Sequence, residues 1–332
     1  MVFKNDKAVS PVVATLVLVV VAIIGAAAVG ALLGAFSSDV SDEASAGETS
    51  GASSTELLIG GSTTVQPVSE VLADAYMEEH KGIKVNVQGG GSGAGVSGAE
   101  KGVLDIGSSS SAIAKADHPD LQVFEIGGSA VVLIGSNEVT AIEVPGADAA
   151  AQQANMKAIY TAAVEGVAEY DDTLTASTGA ALTVLQRSSA SGTEETFSEY
   201  IGDGSKTFID GTEALGKASN GDVYSAVKSA STPTIGFVDY GFYNSDDSTE
   251  LHLIGLGCTQ AEITPTNIKA ALKVKSTGTG TADFPTGLCR NLYYCTLGSP
   301  SSTEQSFINF AMSPGAIDFF HEAGTFSAYD YQ

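Results

Sequence analysis

One arrangement recurs along this chain and restricts it to few folds: an apolar run, a loop of small polar residues, then a helical pattern. "LLIG" (57–60) reads as a short buried strand, "GSTT" (61–64) as a loop, and "PVSEVLADAYMEEH" (67–80) as a helix. Val68, Val71, Leu72 and Ala75 fall on one face of that helix, with Pro67 near its first turn. "IKVNVQ" (83–88) alternates as a strand, "GGGSGAG" (89–95) is a loop, and "VSGAEKG" (96–102) opens a short helix. "VLDIG" (103–107) is a buried strand leading into "SSSSAIA" (108–114). Later "ALTVLQR" (181–187), "SSASG" (188–192) and "TEETFSEYIG" (193–202) repeat the order strand, loop, helix. Alternation of this kind specifies an α/β fold.

The same arrangement suits an anion. The first turn of a helix carries free N–H groups and the positive end of its dipole. Glycine lets backbone approach a ligand closely, and Ser and Thr add hydroxyl donors. Taken singly, a Ser or Thr before a helix is an N-cap. Several such loops, one of them bearing Arg187, point instead to convergence on one small oxyanion, whose geometry the planar guanidinium matches. Gly93, Gly95 and Gly98 form a GxGxxG, but no acidic residue follows at the spacing of a dinucleotide-binding unit, and no GxxxxGK[ST] occurs.

The charge narrows the partners. The formal net charge is −24 over 332 residues, so nucleic acid is excluded: its phosphates would be repelled. Hydrophobic residues make up 43% of the chain, enough for a folded core. The three cysteines (Cys258, Cys289, Cys295) form no CxxC pair and the four histidines are scattered, which argues against a metal site. No cofactor is expected. Cys289 and Cys295 share a face if "LCRNLYYC" is a strand, yet stand too far apart to bond each other. A Cys258–Cys289 disulfide and buried free thiols both stay open. No GxSxG nucleophile motif is present and no histidine has a triad context, so the chain is not expected to be an enzyme.

From Ala8 to Phe36 there is no charged residue, and a bilayer core needs about 20 apolar residues as a helix. Lys4 and Lys7 precede the stretch and Asp39, Asp42 and Glu43 follow, which sets the N-terminus inside and the remainder outside. The apolar run is too long for a cleaved secretory peptide. "KNDKAVSPVVATLVLVVV" (4–21) resembles the N-terminus of archaeal type IV pilins and other class III signal sequences. That resemblance implies cleavage between Ala8 and Val9, hence a leader over 1–8 and a membrane or pilin-like helix over 9–36. "GALLG" (30–34) permits close helix contact and self-association. Residues 37–55, Ser, Ala, Gly and acid, read as a flexible linker.

Beyond the linker, "GGSTTVQPVSEVLADAYMEEHKGIKVNVQGGGSGAGV", "VLDIGSSSSAI", "RSSASGTEETF" and "TPTIGFVDYGFY" resemble the phosphate-binding proteins of ABC transporters. The resemblance runs from about Leu57 to the C-terminus. It implies a type II periplasmic-binding-protein-like domain: two α/β lobes, two crossover strands, and phosphate in the cleft between them. One lobe would comprise 56–135 and 243–332, the other 136–242, with crossovers at "SAVVLIGSN" (129–137) and "TIGFVDYGF" (234–242). The family's contacts fall on Thr63, Thr64, Ser92, Arg187, Ser191, Gly192 and Thr193. Many members carry aspartate where this chain has Ser110, and some an acid where it has Ser189, so preference for phosphate over sulfate is less secure here than the oxyanion site itself. Asp105 lies nearby in sequence but on a strand. The resemblance implies a membrane-anchored, extracytoplasmic protein that delivers phosphate to an ABC permease. The pilin-like leader leaves a filament subunit displaying this domain as the alternative.

Overall fold

In the computed structural model, residues 55–170, 180–188, 191–244 and 250–332 are described. The expected leader, apolar helix and linker through residue 54, and Ser189, lie outside them. Among the described residues no helix is long and apolar enough to cross a membrane.

Three parallel strands open the fold: β1 (Thr55–Gly61) lies between β2 (Ile83–Gly89) and β3 (Ile106–Ser109). Helix α1 (Gln66–Glu79) follows β1 and α2 (Ser92–Glu100) follows β2, as the alternating pattern requires. The buried face of α1 is Val68, Ser69, Leu72, Ala73 and Tyr76, rotated from the expected stripe. The reason is a polar pair in the core: Ser69 Oγ lies 2.7 Å from the buried hydroxyl of Tyr294. Helix α2 starts at Ser92, earlier than read, so half of the glycine loop is helical. Gly95 serves packing. A Cβ on Gly95 would fall 2.4 Å from Ser108 O and 2.8 Å from Gly60 O, so only glycine lets this helix lie on β1 and β3.

Strand β4 (Leu121–Ser136) joins the two halves of the sheet. Up to Ala130 it pairs antiparallel with β10 (Cys289–Leu297), which in turn pairs with β3. From Val131 it pairs with β8 (Thr234–Asp239). A parallel partner of β8 is β6 (Ala180–Arg187), which pairs antiparallel with β5 (Val167–Tyr170). The order is β2-β1-β3-β10-β4-β8-β6-β5. Helix α3 (Ala149–Ala162) precedes β5, and α4 (Gly192–Ile201) follows β6. Short strand β7 (Leu215–Lys217) pairs with β6 and leads to α5 (Asn220–Lys228). The second expected crossover is a strand only to Asp239; Tyr240–Asn244 turns into helix α6. Strand β9 (Leu251–Ile254), helix α7 (Pro265–Thr277), α8 (Ser302–Ala311) and α9 (Ile317–Glu322) complete the frame, with a 3-10 turn at Pro314–Ala316.

The apolar core divides accordingly. One cluster takes Leu57, Ile59, Leu72, Ile106, Leu292 and Phe307. A second takes Leu133, Tyr160, Phe197, Phe237, Leu272 and Cys289, and a small third takes Val96, Ala99, Leu121 and Cys295. The open question of the thiols resolves against a bond: Cys258, Cys289 and Cys295 are free and buried, and the Cys258–Cys289 disulfide is not formed. They behave as small apolar side chains, and burial pushes the Cys289 thiol up to about 12.

Candidate oxyanion site

Three loops at the ends of β1, β2 and β3 meet through hydroxyls. Ser62 Oγ donates to Ser110 Oγ at 3.0 Å and accepts from the N–H of Thr64 at 3.2 Å, so it shapes the turn into α1. Ser92 Oγ accepts from the N–H of Ser110 at 3.1 Å and lies 3.3 Å from its hydroxyl. Ser110 is 6% exposed. Thr63 is exposed and lines a cavity of about 610 Å³ with Ser62, Ser92, Ser109 and Gly192.

Helix α4 closes on these loops from the other half of the sheet. Ser191 is its N-cap: the hydroxyl accepts from the N–H of Glu194 at 3.2 Å. The cap satisfies the third N–H of the helix and leaves those of Gly192 and Thr193 outside the ladder. A Cβ placed on Gly192 would fall 2.5 Å from Ser110 Oγ, 2.8 Å from Arg290 Nη1 and 3.0 Å from Thr64 Oγ1. Polar atoms from the loops after β1 and β3 and from β10 therefore converge on the first residue of α4. Ser92 joins them through Ser110.

Arg187, at the end of β6, faces a second side of the same cleft. It lines a cavity of about 380 Å³ with Thr63, Thr64, Ser191, Thr193, Asn220 and Asp239. Its Nη2 donates to Ala218 O at 2.7 Å, and its Nε is buried without a partner among the described residues. Burial lowers its affinity for a proton, and the charge that most opposes this is Asp239, so it stays a cation. Its backbone N–H donates to Glu194 Oε2 at 2.8 Å. Burial, and then a hydrogen bond with Asp210, push the Glu194 carboxyl up to about 8. At neutral pH this acid in the first turn of α4 is mostly protonated and adds little negative charge to the cleft.

Arg290 is the residue that sequence reasoning missed. It is the second residue of β10 and is 3% exposed. Its Nε donates to Ser129 Oγ at 2.8 Å, and its Nη2 to Thr193 Oγ1 at 3.1 Å and to Asp239 Oδ1 at 2.5 Å. Nη1 is buried with no partner among the described residues. Arg187 is therefore not the one cation of the cleft. Thr193 donates its hydroxyl proton to Asp239 Oδ2 at 2.8 Å, so that proton is turned away from a ligand. Asn220 Nδ2 also donates to Asp239 Oδ2, at 2.8 Å. The acid of this cleft is thus Asp239. Asp105 is exposed and accepts from the N–H of Leu58 at 2.7 Å, away from the convergence point. A cation inside an otherwise buried strand, "LCRNLYYC", was the signal available for Arg290.

Two α/β halves strung on one long strand, with small donors and arginines at their junction, are the architecture of a cleft-type binding protein. A family model described as PBP superfamily domain matches residues 46–314, and the chain belongs to that superfamily. It is 28% identical over 212 residues to the phosphate-binding protein PstS of Bacillus subtilis (strain 168). That match covers 60% of this chain, and the chain spans 62% of the length of that relative. A crystal structure from Clostridium perfringens, described as a phosphate ABC transporter substrate-binding protein with bound phosphate, has a TM-score of 0.60 at 20% identity. It is matched over 82% of this chain and all (100%) of the other. An ABC-type phosphate transport receptor from Vibrio cholerae gives 0.59 at 21%, over 81% of this chain and 99% of the other. At these identities the likeness to the solved structures is one of fold.

Proposed function

We propose that this protein captures inorganic phosphate outside the cytoplasm and hands it to an ABC permease, performing no chemistry on it. The observation that carries the reading is the meeting of Thr64 and Ser110 with the first residue of α4, so that hydroxyls from one half of the sheet face a helix N-terminus from the other. Such a meeting suits an oxyanion held between two halves that close on it. Membership of the superfamily and the likeness to phosphate-binding proteins support the choice of anion. Thr63, Thr64, Ser92, Ser110, Arg187, Ser191, Gly192 and Thr193 are the proposed contacts, Thr193 through its backbone. Residues 9–36 would anchor the protein in the membrane, a part supported by their lack of charge over more than the ~20 residues a span requires.

Calorimetric titration of the full chain with inorganic phosphate tests the reading. One-to-one binding is the expected result. A chain that binds no phosphate overturns it.

A further inference from the structure

We propose that Arg290 is a second anion-binding cation, contributed by the strand facing α4, and that the cleft it helps to form takes tetrahedral dianions without requiring a proton from them, sulfate as well as phosphate. The inference rests on the oxyanion reading given above and names the class of ligand.

The geometry singles out one nitrogen. Three of the groups on Arg290 are accounted for: Nε by Ser129, and Nη2 by Thr193 and Asp239. Those bonds fix the guanidinium plane and leave Nη1 buried, unpartnered among the described residues, and next to Gly192. A buried charged donor without an acceptor is costly, and an anion at the first turn of α4 would relieve it. The two nearest side-chain neighbours of that point, Ser110 Oγ and Thr64 Oγ1, can donate or accept, whereas Nη1 can only donate.

Two of the carboxylates near the cleft are engaged by other partners. Asp239, on β8, takes Arg290 on Oδ1 and both Thr193 and Asn220 on Oδ2. Glu194, on α4, faces the N–H of Arg187. Glu195, also on α4, lines the 610 Å³ cavity with Ser62, Ser92 and Gly192. With Ser110 at the point where an acid would repel an unprotonated oxygen, the convergence point offers donors and hydroxyls. A hydroxyl can serve a P–OH or a bare oxygen, so sulfate is not rejected.

The test is calorimetry of the full chain at neutral pH with phosphate, with sulfate, and with phosphate in the presence of sulfate. Sulfate should bind within about tenfold of phosphate and compete with it. Arg290→Lys, which keeps a cation for Asp239 but loses Nη1, should weaken both anions by about 10- to 100-fold, the loss of a charge-assisted contact. Because a single replacement at a buried ion pair can unfold the protein, the double variant Arg290→Met with Asp239→Asn removes both charges together. It should fold and show the same loss. Wild-type affinity for both anions in either folded variant overturns the assignment of Arg290 while leaving the phosphate reading intact. A wild-type chain that holds phosphate but ignores a large excess of sulfate overturns the dianion class, and an acid, Asp239 or Glu195, would then be reading the ligand's proton. A chain that binds sulfate but no phosphate overturns both the phosphate reading and the shared-dianion class, and leaves only the assignment of Arg290 standing.

Discussion

Arg187 and Arg290 sit on strands in the two halves of the sheet, and their surroundings differ in kind. Arg290 is buried near the start of its strand and bonded to the carboxyl group of Asp239 and to two hydroxyls. Arg187 ends its strand half-exposed, and its side chain is held by one backbone carbonyl. The carboxyl beside Arg187 is Glu194, which is mostly protonated at neutral pH. One arginine is thus built into the fold with a single nitrogen to spare, and the other is tethered by one carbonyl with no carboxylate bonded to its side chain among the described residues. The difference teaches that two cations in one cleft can have separable contributions to stability and to binding.

The largest effect that could break this comparison is on stability. Arg290→Ala strands Asp239, Thr193 and Ser129 and leaves an uncompensated buried carboxylate. It should cost about 3–5 kcal/mol in urea denaturation. Arg187→Ala leaves no comparable buried charge unpaired and should change the urea midpoint little. Equal losses from the two variants would mean that Arg187 is as structural as Arg290.

On binding, Arg187→Ala is expected to weaken phosphate by about 1.5–3 kcal/mol, roughly 10- to 100-fold, while the protein stays folded. Unchanged affinity by calorimetry would place the anion elsewhere. Gly192→Ala sharpens the same point with a smaller change. Its methyl would sit 3.0 Å from Thr64 Oγ1 and closer still to Ser110 Oγ and Arg290 Nη1, of which the two hydroxyls can turn aside. We expect about tenfold weaker phosphate binding, near one hydrogen bond's worth, with the melting temperature almost kept. Full affinity in this variant would show that the convergence point lies outside the ligand's place.

The two arginines also differ in how far they could be read from sequence. Arg187 is visible because its setting is local: a strand, a loop of small donors and a capped helix within a dozen or so residues. Ser191 caps α4 and Gly192 opens it, as that pattern requires. Arg290 depends on Ser129, Thr193 and Asp239, which are 161, 97 and 51 residues away, and no local pattern encodes those pairings. The glycine loop failed differently. Gly95 looked like ligand approach, yet it permits a helix to rest on two strands, a tertiary demand that outweighs glycine's poor helix propensity. The rotated face of α1 has the same origin, a buried Ser69–Tyr294 pair that apolar periodicity cannot announce.

The smallest expected effect concerns the acid that leaves Arg187 its charge. In an unfolded chain Glu194 would titrate near 4.3. In the fold its carboxyl is pushed up to about 8, by burial first and by Asp210 next. The folded protein therefore keeps a proton that the unfolded chain gives up. Stability from this group is complete below about 4.3 and falls as pH rises through the interval to about 8. Glu194→Gln resembles the protonated side chain: its amide oxygen can still accept from the N–H of Arg187, and its NH₂ can face Asp210. The variant should match wild type near pH 4 and exceed it at pH 9, with phosphate affinity at neutral pH unchanged. Urea denaturation at the two pH values decides it. If wild type is instead the more stable protein at pH 9, Glu194 is ionised and paired with Arg187. Both arginines would then be neutralised by carboxylates, and the contrast between them would disappear.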